Sequence, residues 1–158
     1  MIIKNCRFIS ESGISEPKDI LIENGLIKSI GTFDSIDSYD AHGNFVCSGF
    51  IDIHTHGGYG ADFMDATEDA FDTALKFHAD NGTTSALATS CTSPTEQILS
   101  FVECAREYKR HKPPYAKLLG VHLEGRFYQL KTEVLKSKNI LCHPTQTVTN
   151  SFLKIKTL

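Results

Sequence analysis

The strongest constraint on folding is the way the sequence changes period after residue 48. Phe50 to His56 is an apolar run of strand length. Thr67 to Asn81 carries Ala70, Phe71, Ala74, Leu75 and Phe77 at helical spacing, and Asn81-Gly82 supplies a stop. Asp65 or Thr67 is placed to cap this helix, with Glu68 and Asp69 favourable in its first turn. Thr84 to Thr89 is a short strand of small and apolar residues. Ser93-Pro94-Thr95-Glu96 reads as a capping box with proline at the first helical position. The helix it predicts runs from Pro94 to about Arg110, with Ile98, Leu99, Val102 and Ala105 on one stripe, and Pro113-Pro114 stops it. Leu118 to Glu124 is a third strand. Strands alternating with helices of this length require parallel pairing through helical crossovers, hence an α/β sheet or barrel.

In such folds chemistry gathers at the carboxyl ends of the strands. The first strand ends in His54-Thr55-His56, then breaks into Gly57-Gly58-Tyr59-Gly60. Side chains alternate along a strand, so His54 and His56 share a face and offer half of a tetrahedral ligand set. Glycines permit the turn and close approach that a ligand-bearing strand end needs. Glu124 ends the third strand, and a carboxylate converging on two imidazoles suits zinc, iron(II) or manganese. The plain readings are histidines satisfied within a loop and a solvated strand-end carboxylate; their common placement favours the metal. His122 projects to the same face as Glu124, and four roles stay open for it: ligand, donor to a ligand, substrate contact, or structure alone. No phosphate-binding loop of the Walker type is present.

The bulk properties exclude other classes. The 158 residues, 41% hydrophobic and 22% charged, are those of a soluble globular protein, and a net charge of −3 gives no reason to invoke nucleic acid or an anionic membrane. No signal peptide or membrane-spanning run is found, so the expected location is cytoplasmic. The five cysteines include no CxxC pair and read as reduced, mostly core residues. Residues 1–47 read as a small β domain. Ile20 to Glu23 and Leu26 to Gly31 flank Asn24-Gly25, which suits a type I′ hairpin turn, and Met1 to Ile9 is a strand to pair with it. Asp34 to Asn44 reads as a polar connection into Phe45-Val46-Cys47. So small a sheet buries little by itself.

Three stretches resemble N-acetylglucosamine-6-phosphate deacetylases, of the amidohydrolase superfamily. They are Ser48-Gly-Phe-Ile-Asp-Ile-His-Thr-His56-Gly-Gly-Tyr-Gly-Ala-Asp-Phe-Met-Asp65, Phe77-His-Ala-Asp-Asn-Gly-Thr-Thr84 and Leu119-Gly-Val-His-Leu-Glu-Gly125. The resemblance covers residues 1–125 in the family's order, with Ser48 where proline is usual. It implies an incomplete (β/α)8 TIM barrel, about its first three units, preceded by part of a small β-sandwich domain, with His54, His56 and Glu124 as metal ligands. It also implies hydrolysis of N-acetylglucosamine 6-phosphate to glucosamine 6-phosphate and acetate, in amino-sugar catabolism. A divalent metal would polarise the amide and activate water. The family's general base, a later aspartate, and its two further histidine ligands match no position here. The complete family protein is commonly a homodimer.

After Gly125 the pattern stops, and residues 126–158 read as a tail foreign to the family. Arg126 to Ser137 can be back-translated so that one restored cytosine yields Pro-Phe-Leu-Ser-Val-Glu-Asn-Arg-Gly-Ala-Gln-Lys, which is the family's continuation. The expectation is a shifted frame near Gly125 and a chain inactive by itself, in which Cys142-His143 is no metal motif. Other readings are a different metal-dependent amidohydrolase, or a non-catalytic metal-binding or complementing module. Sequencing the coding DNA onward from the Glu124 codon is expected to show the family's pattern in the shifted frame. An intact frame with no such continuation would favour the module.

Overall fold

The computed structural model describes residues 1–34, 37–111 and 113–124; the tail, Gly125 and Cys142-His143 lie outside the described residues. The chain divides into two compact units, Met1–Ser48 and a second beginning at Gly49. No helix among the described residues is long and apolar enough to cross a membrane.

The first unit contains β1 (Ile2–Ser10), β2 (Gly13–Ile14), β3 (Lys18–Glu23), β4 (Leu26–Gly31), β5 (Ser38–Asp40) and β6 (Phe45–Val46). The sheet order is β2-β1-β3-β4, and β5 and β6 add to β1 in parallel. The hairpin between β3 and β4 turns on Asn24 and Gly25, both at positive φ (53° and 76°), as a type I′ turn requires. The segment read as a polar connection contains β5: its Tyr39 pairs with Ile3, and main-chain bonding rather than apolar patterning makes it a strand. Cys6, Ile20 and Ala41 are buried at the centre, with Ile3, Phe8, Ile22 and Val46 packed around them.

Within this unit β1 shifts register between Ile3 and Cys6, where Asn5 takes a φ of 55°. The amide of Asn5 donates to Asp19 Oδ1 at 3.1 Å, and the amide of Phe33 donates to Asp19 Oδ2 at 3.0 Å. These two bonds, that of Phe33 foremost, hold the buried Asp19 carboxyl below the usual carboxylate range.

The second unit contains β7 (Phe50–Thr55), the short pair β8 (Gly57–Gly58) and β9 (Ala61–Asp62), a 3-10 turn (Phe63–Asp65), α1 (Glu68–Asp80), β10 (Thr83–Thr89), α2 (Thr95–Tyr108) and β11 (Lys117–His122). Its main sheet runs β11-β10-β7 with both pairings parallel, so this unit is α/β as the alternation requires. Thr67 caps α1 by accepting from the amide of Ala70. The 3-10 turn has a capping box of its own, built from Asp62 and Asp65. The box expected at Ser93 does not form: Pro94 has ψ 149°, so the helix begins at Thr95 and has no side-chain cap. Gly57 and Gly58 are needed for space. A Cβ at Gly57 would lie 2.0 Å from the carbonyl oxygen of Ala61, and one at Gly58 would lie 2.5 Å from the Phe77 ring.

Phe71, Ala74 and Leu75 of α1, Ala86 and Ala88 of β10, and Ile98, Phe101, Val102 and Ala105 of α2 form one buried cluster. Phe71 touches Phe63 and Tyr108 at ring-centroid distances of 5.0 and 5.3 Å. Burying a side chain of this size contributes about 1.5–3 kcal/mol. Burial and the Asp72 carboxylate, which accepts from the Tyr108 hydroxyl at 2.6 Å, raise that phenol above its ordinary range. Two expected core positions differ. Leu99 is partly exposed while Phe101 is buried, and His78 rather than Phe77 occupies the buried stripe of α1. Rotation of 100° per residue places 71, 74, 75 and 78 together and turns 77 aside. Of the described cysteines, none in a disulfide, Cys6 is buried, Cys104 is partly buried against the second unit's core, Cys91 is partly buried and Cys47 is exposed.

Along the apolar run of β7, Phe50, Ile51 and Ile53 are 66%, 64% and 64% exposed, and β7 is an edge of its sheet among the described residues.

Asp19 supplies a pH test. A carboxyl depressed on folding contributes stability above its ordinary pKa of about 3.9, and that contribution is lost as pH falls toward the depressed value. Asp19→Asn is expected to destabilise the first unit at pH 7, with variant and native unfolding curves converging as the pH falls below 4. Urea unfolding across that range checks it.

Candidate metal centre

His54 stands on β7 and His56 immediately beyond it, while Glu124 follows the end of β11. β10 lies between these two strands, and the three side chains meet at its carboxyl end. His56 Nε2 is 3.5 Å and His54 Nε2 4.0 Å from Glu124 Oε2. One donor atom from each residue lies within 4.8 Å of the others. Two ligands on a tetrahedral ion with bonds of about 2.1 Å stand roughly 3.4 Å apart. The 3.5 Å spacing matches that value and the 4.0 Å spacing is wider, so the donor set suits a small divalent cation in its chemistry, with the His54 ring standing further off than a bound ion requires.

The supports come from the backbone and from β10. His56 Nδ1 lies 3.2 Å from the carbonyl oxygen of Thr89 and 3.4 Å from Cys91 Sγ. A carbonyl can only accept, so Nδ1 carries the proton and Nε2 keeps its lone pair toward Glu124. Thr89 and Ser90 are both fully buried. Thr89 Oγ1 accepts from the amide of Thr55 at 3.1 Å, and Ser90 Oγ accepts from the amide of Glu124 at 3.1 Å. The amide of Ser90 donates to the carbonyl of His122 at 2.9 Å. Asp52 Oδ1 accepts from the amide of His54 at 3.0 Å.

His122 stands beside the three-residue cluster. Its ring centroid is 4.8 Å from that of His54, in edge-to-face geometry, and its Nδ1 is 3.0 Å from the carbonyl oxygen of Ile53. Here too the carbonyl takes the Nδ1 proton, leaving Nε2 as an acceptor. The roles of Thr89 and Ser90 were missed in the sequence. Their only signal was a Thr-Ser pair at the end of the Ala86-Leu87-Ala88 run, at the level of the histidines.

The fold and the site define an α/β protein that brings two imidazoles and a carboxylate, three donor groups able to hold one divalent ion, together at its strand ends. Comparison narrows the class. The N-acetylglucosamine-6-phosphate deacetylase of Bacillus subtilis is 34% identical over 139 residues, 83% of this chain and 35% of that protein. A dihydroorotase of Listeria welshimeri is 42% identical over only 60 residues, 35% of this chain and 14% of that protein. The crystal structure of N-acetylglucosamine-6-phosphate deacetylase from Pasteurella multocida shares the fold, with a TM-score of 0.83 at 24% identity over 96% of this chain and 41% of that one. No protein-family model matches the chain. Over most of its length the chain is a homologue of the N-acetylglucosamine-6-phosphate deacetylases, and it spans about a third of the length of the curated relatives it matches.

The hydrogen bond to Thr89 makes a direct prediction. Long-range 1H–15N NMR of the neutral imidazole is expected to show His56 protonated at Nδ1 alone. An Nε2–H signal would remove Thr89 as its partner.

Proposed function

We propose that the chain carries one arm of the active site of an N-acetylglucosamine-6-phosphate deacetylase. In this reading residues 1–47 are part of a small β-sandwich domain, residues 48–125 begin a (β/α)8 barrel, and residues 126–158 stand apart from the family. His54, His56 and Glu124 hold a divalent metal. The observation that carries the reading is the approach of both imidazole Nε2 atoms to one oxygen of Glu124, at 3.5 and 4.0 Å. Two imidazoles and a carboxylate suit zinc, iron(II) or manganese alike. The bound metal supplies Lewis acidity toward the acetamido carbonyl and lowers the pKa of water.

The chain's own residues orient this site. Thr89 fixes the tautomer of His56, Ser90 anchors the backbone of Glu124, and Asp52 anchors that of His54. His122 lines the same face with an acceptor Nε2, available to a substrate hydroxyl or amide. No described residue is assigned as the base that takes the proton from water and delivers it to the leaving amine. Without that group general acid–base catalysis, worth about 10²–10⁴-fold, is missing, and the chain alone is inactive. The substrate, N-acetylglucosamine 6-phosphate, is taken from the name of the Bacillus subtilis relative. The length of the match favours it over a cyclic amide: 139 residues align with the deacetylase and 60 with the dihydroorotase.

A second reading is a non-catalytic metal-binding module that complements a separate polypeptide. The exposed apolar edge strand β7 favours it, since Phe50, Ile51 and Ile53 present apolar surface where another strand could pair.

The purified chain is expected to bind one Zn(II), to lose it on Glu124→Ala, and to release no glucosamine 6-phosphate from N-acetylglucosamine 6-phosphate. Co-expression with the remaining two thirds of a Bacillus subtilis deacetylase is expected to restore turnover. Turnover by the chain alone would refute its inactivity, and absence of metal binding would refute the metal assignment.

A further inference from the structure

His78 is a buried imidazole, 6% exposed, in the apolar stripe of α1. Burial of this kind requires hydrogen-bond partners, and those it has lead to the candidate metal site. Its Nε2 lies 3.0 Å from Thr55 Oγ1, and its Nδ1 faces Asp52 Oδ2 at 3.9 Å. The hydroxyl of Thr55 donates to the carbonyl of Gly57 at 3.3 Å. A hydroxyl has one proton to give, so in the bond between them His78 Nε2 is the donor and Thr55 Oγ1 the acceptor.

Thr55 is the residue between His54 and His56. Alternation turns its side chain away from the two imidazoles and toward α1. Its hydroxyl is engaged by His78 and Gly57, and its amide donates to Thr89 Oγ1. Asp52 faces the other ring nitrogen of His78 and accepts from the amide of His54. The ring of His78 thus stands behind the strand exit, next to both residues that tie down the histidine pair.

We propose that His78 is a positioning residue for the metal centre: through Thr55 it fixes the backbone from which His54 and His56 project. The inference rests on the metal assignment made above. Groups that hydrogen-bond a ligand directly typically change metal affinity by about 10–100-fold when lost, and His78 acts on the ligands one residue further back, through Thr55. A side chain that merely fills the α1 stripe would change stability and leave metal affinity alone.

The test is a Zn(II) titration of the full chain against a chromophoric chelator, with urea unfolding of each metal-free variant alongside. His78→Leu keeps an apolar side chain in the stripe and removes the donor. His78→Gln keeps an amide N–H near the position of the imidazole Nε2. Thr55→Val removes the hydroxyl from the other side, and Thr55→Ser retains it. His78→Leu and Thr55→Val are expected to weaken Zn(II) binding about 10–100-fold, with Gln and Ser restoring most of it. Equal affinity in His78→Leu and the native chain would overturn the proposal, whatever happens to stability. If His78→Leu does not fold, unchanged affinity in Thr55→Val overturns it equally. Absence of Zn(II) binding by the native chain would instead overturn the metal assignment, and with it this inference.

Discussion

β10 is hydrogen-bonded on both sides, to β7 and to β11, and its carboxyl end is where these neighbours are brought to a common level. Thr89 takes the amide of Thr55 on its hydroxyl and the ring of His56 on its carbonyl. Ser90 takes the amide of Glu124 and gives its own amide to His122. Two candidate ligands come from one strand and the third from a strand two places away, so their convergence depends on this short polar segment. Full burial matters here, because water cannot substitute for a lost partner where it has no access.

The same strand exit is tied to the helix layer. Small residues at Ala86 and Ala88 leave room for α1 and α2 to pack closely on the sheet, and the Phe71 cluster fills the space between them. On that packed side His78 reaches Thr55, while His54 and His56 occupy the opposite face of the strand. Core packing and site geometry are therefore coupled through Thr55, with Asp52 beside it facing the same imidazole. The close approach of the β8–β9 hairpin to α1, possible because Gly58 lacks a Cβ, keeps the chain beyond His56 against the same helix.

Apolar surface remains uncovered in each unit. In the first, Leu26, Ile27, Tyr39 and Phe45 are more than half exposed; in the second, Phe50, Ile51 and Ile53 are. The solved deacetylase that shares this fold is longer, with this chain covering 41% of it. An arm of an active site, as proposed above, would leave both kinds of surface open.

The order of elements in the second unit was legible in the sequence, because helical and strand periods differ and Asn81-Gly82 and Thr67 mark helix ends by local chemistry. The hairpin at Asn24-Gly25 was legible for the same reason: two adjacent positive φ angles are a local demand that few residues meet. The histidine pair could be placed on one face by alternation alone, and Glu124 at the end of the third strand. Other features required the folded chain. The exposure of β7 depends on which strand lies at the edge, and a row of apolar residues reads alike in either place. β5 exists because β1 offers main-chain partners, the true start of α2 depends on the ψ of Pro94, and His78 in the apolar stripe depends on finding Thr55 across the interface. Local sequence determines what each segment prefers by itself; the partners of its polar groups are decided only when distant segments meet.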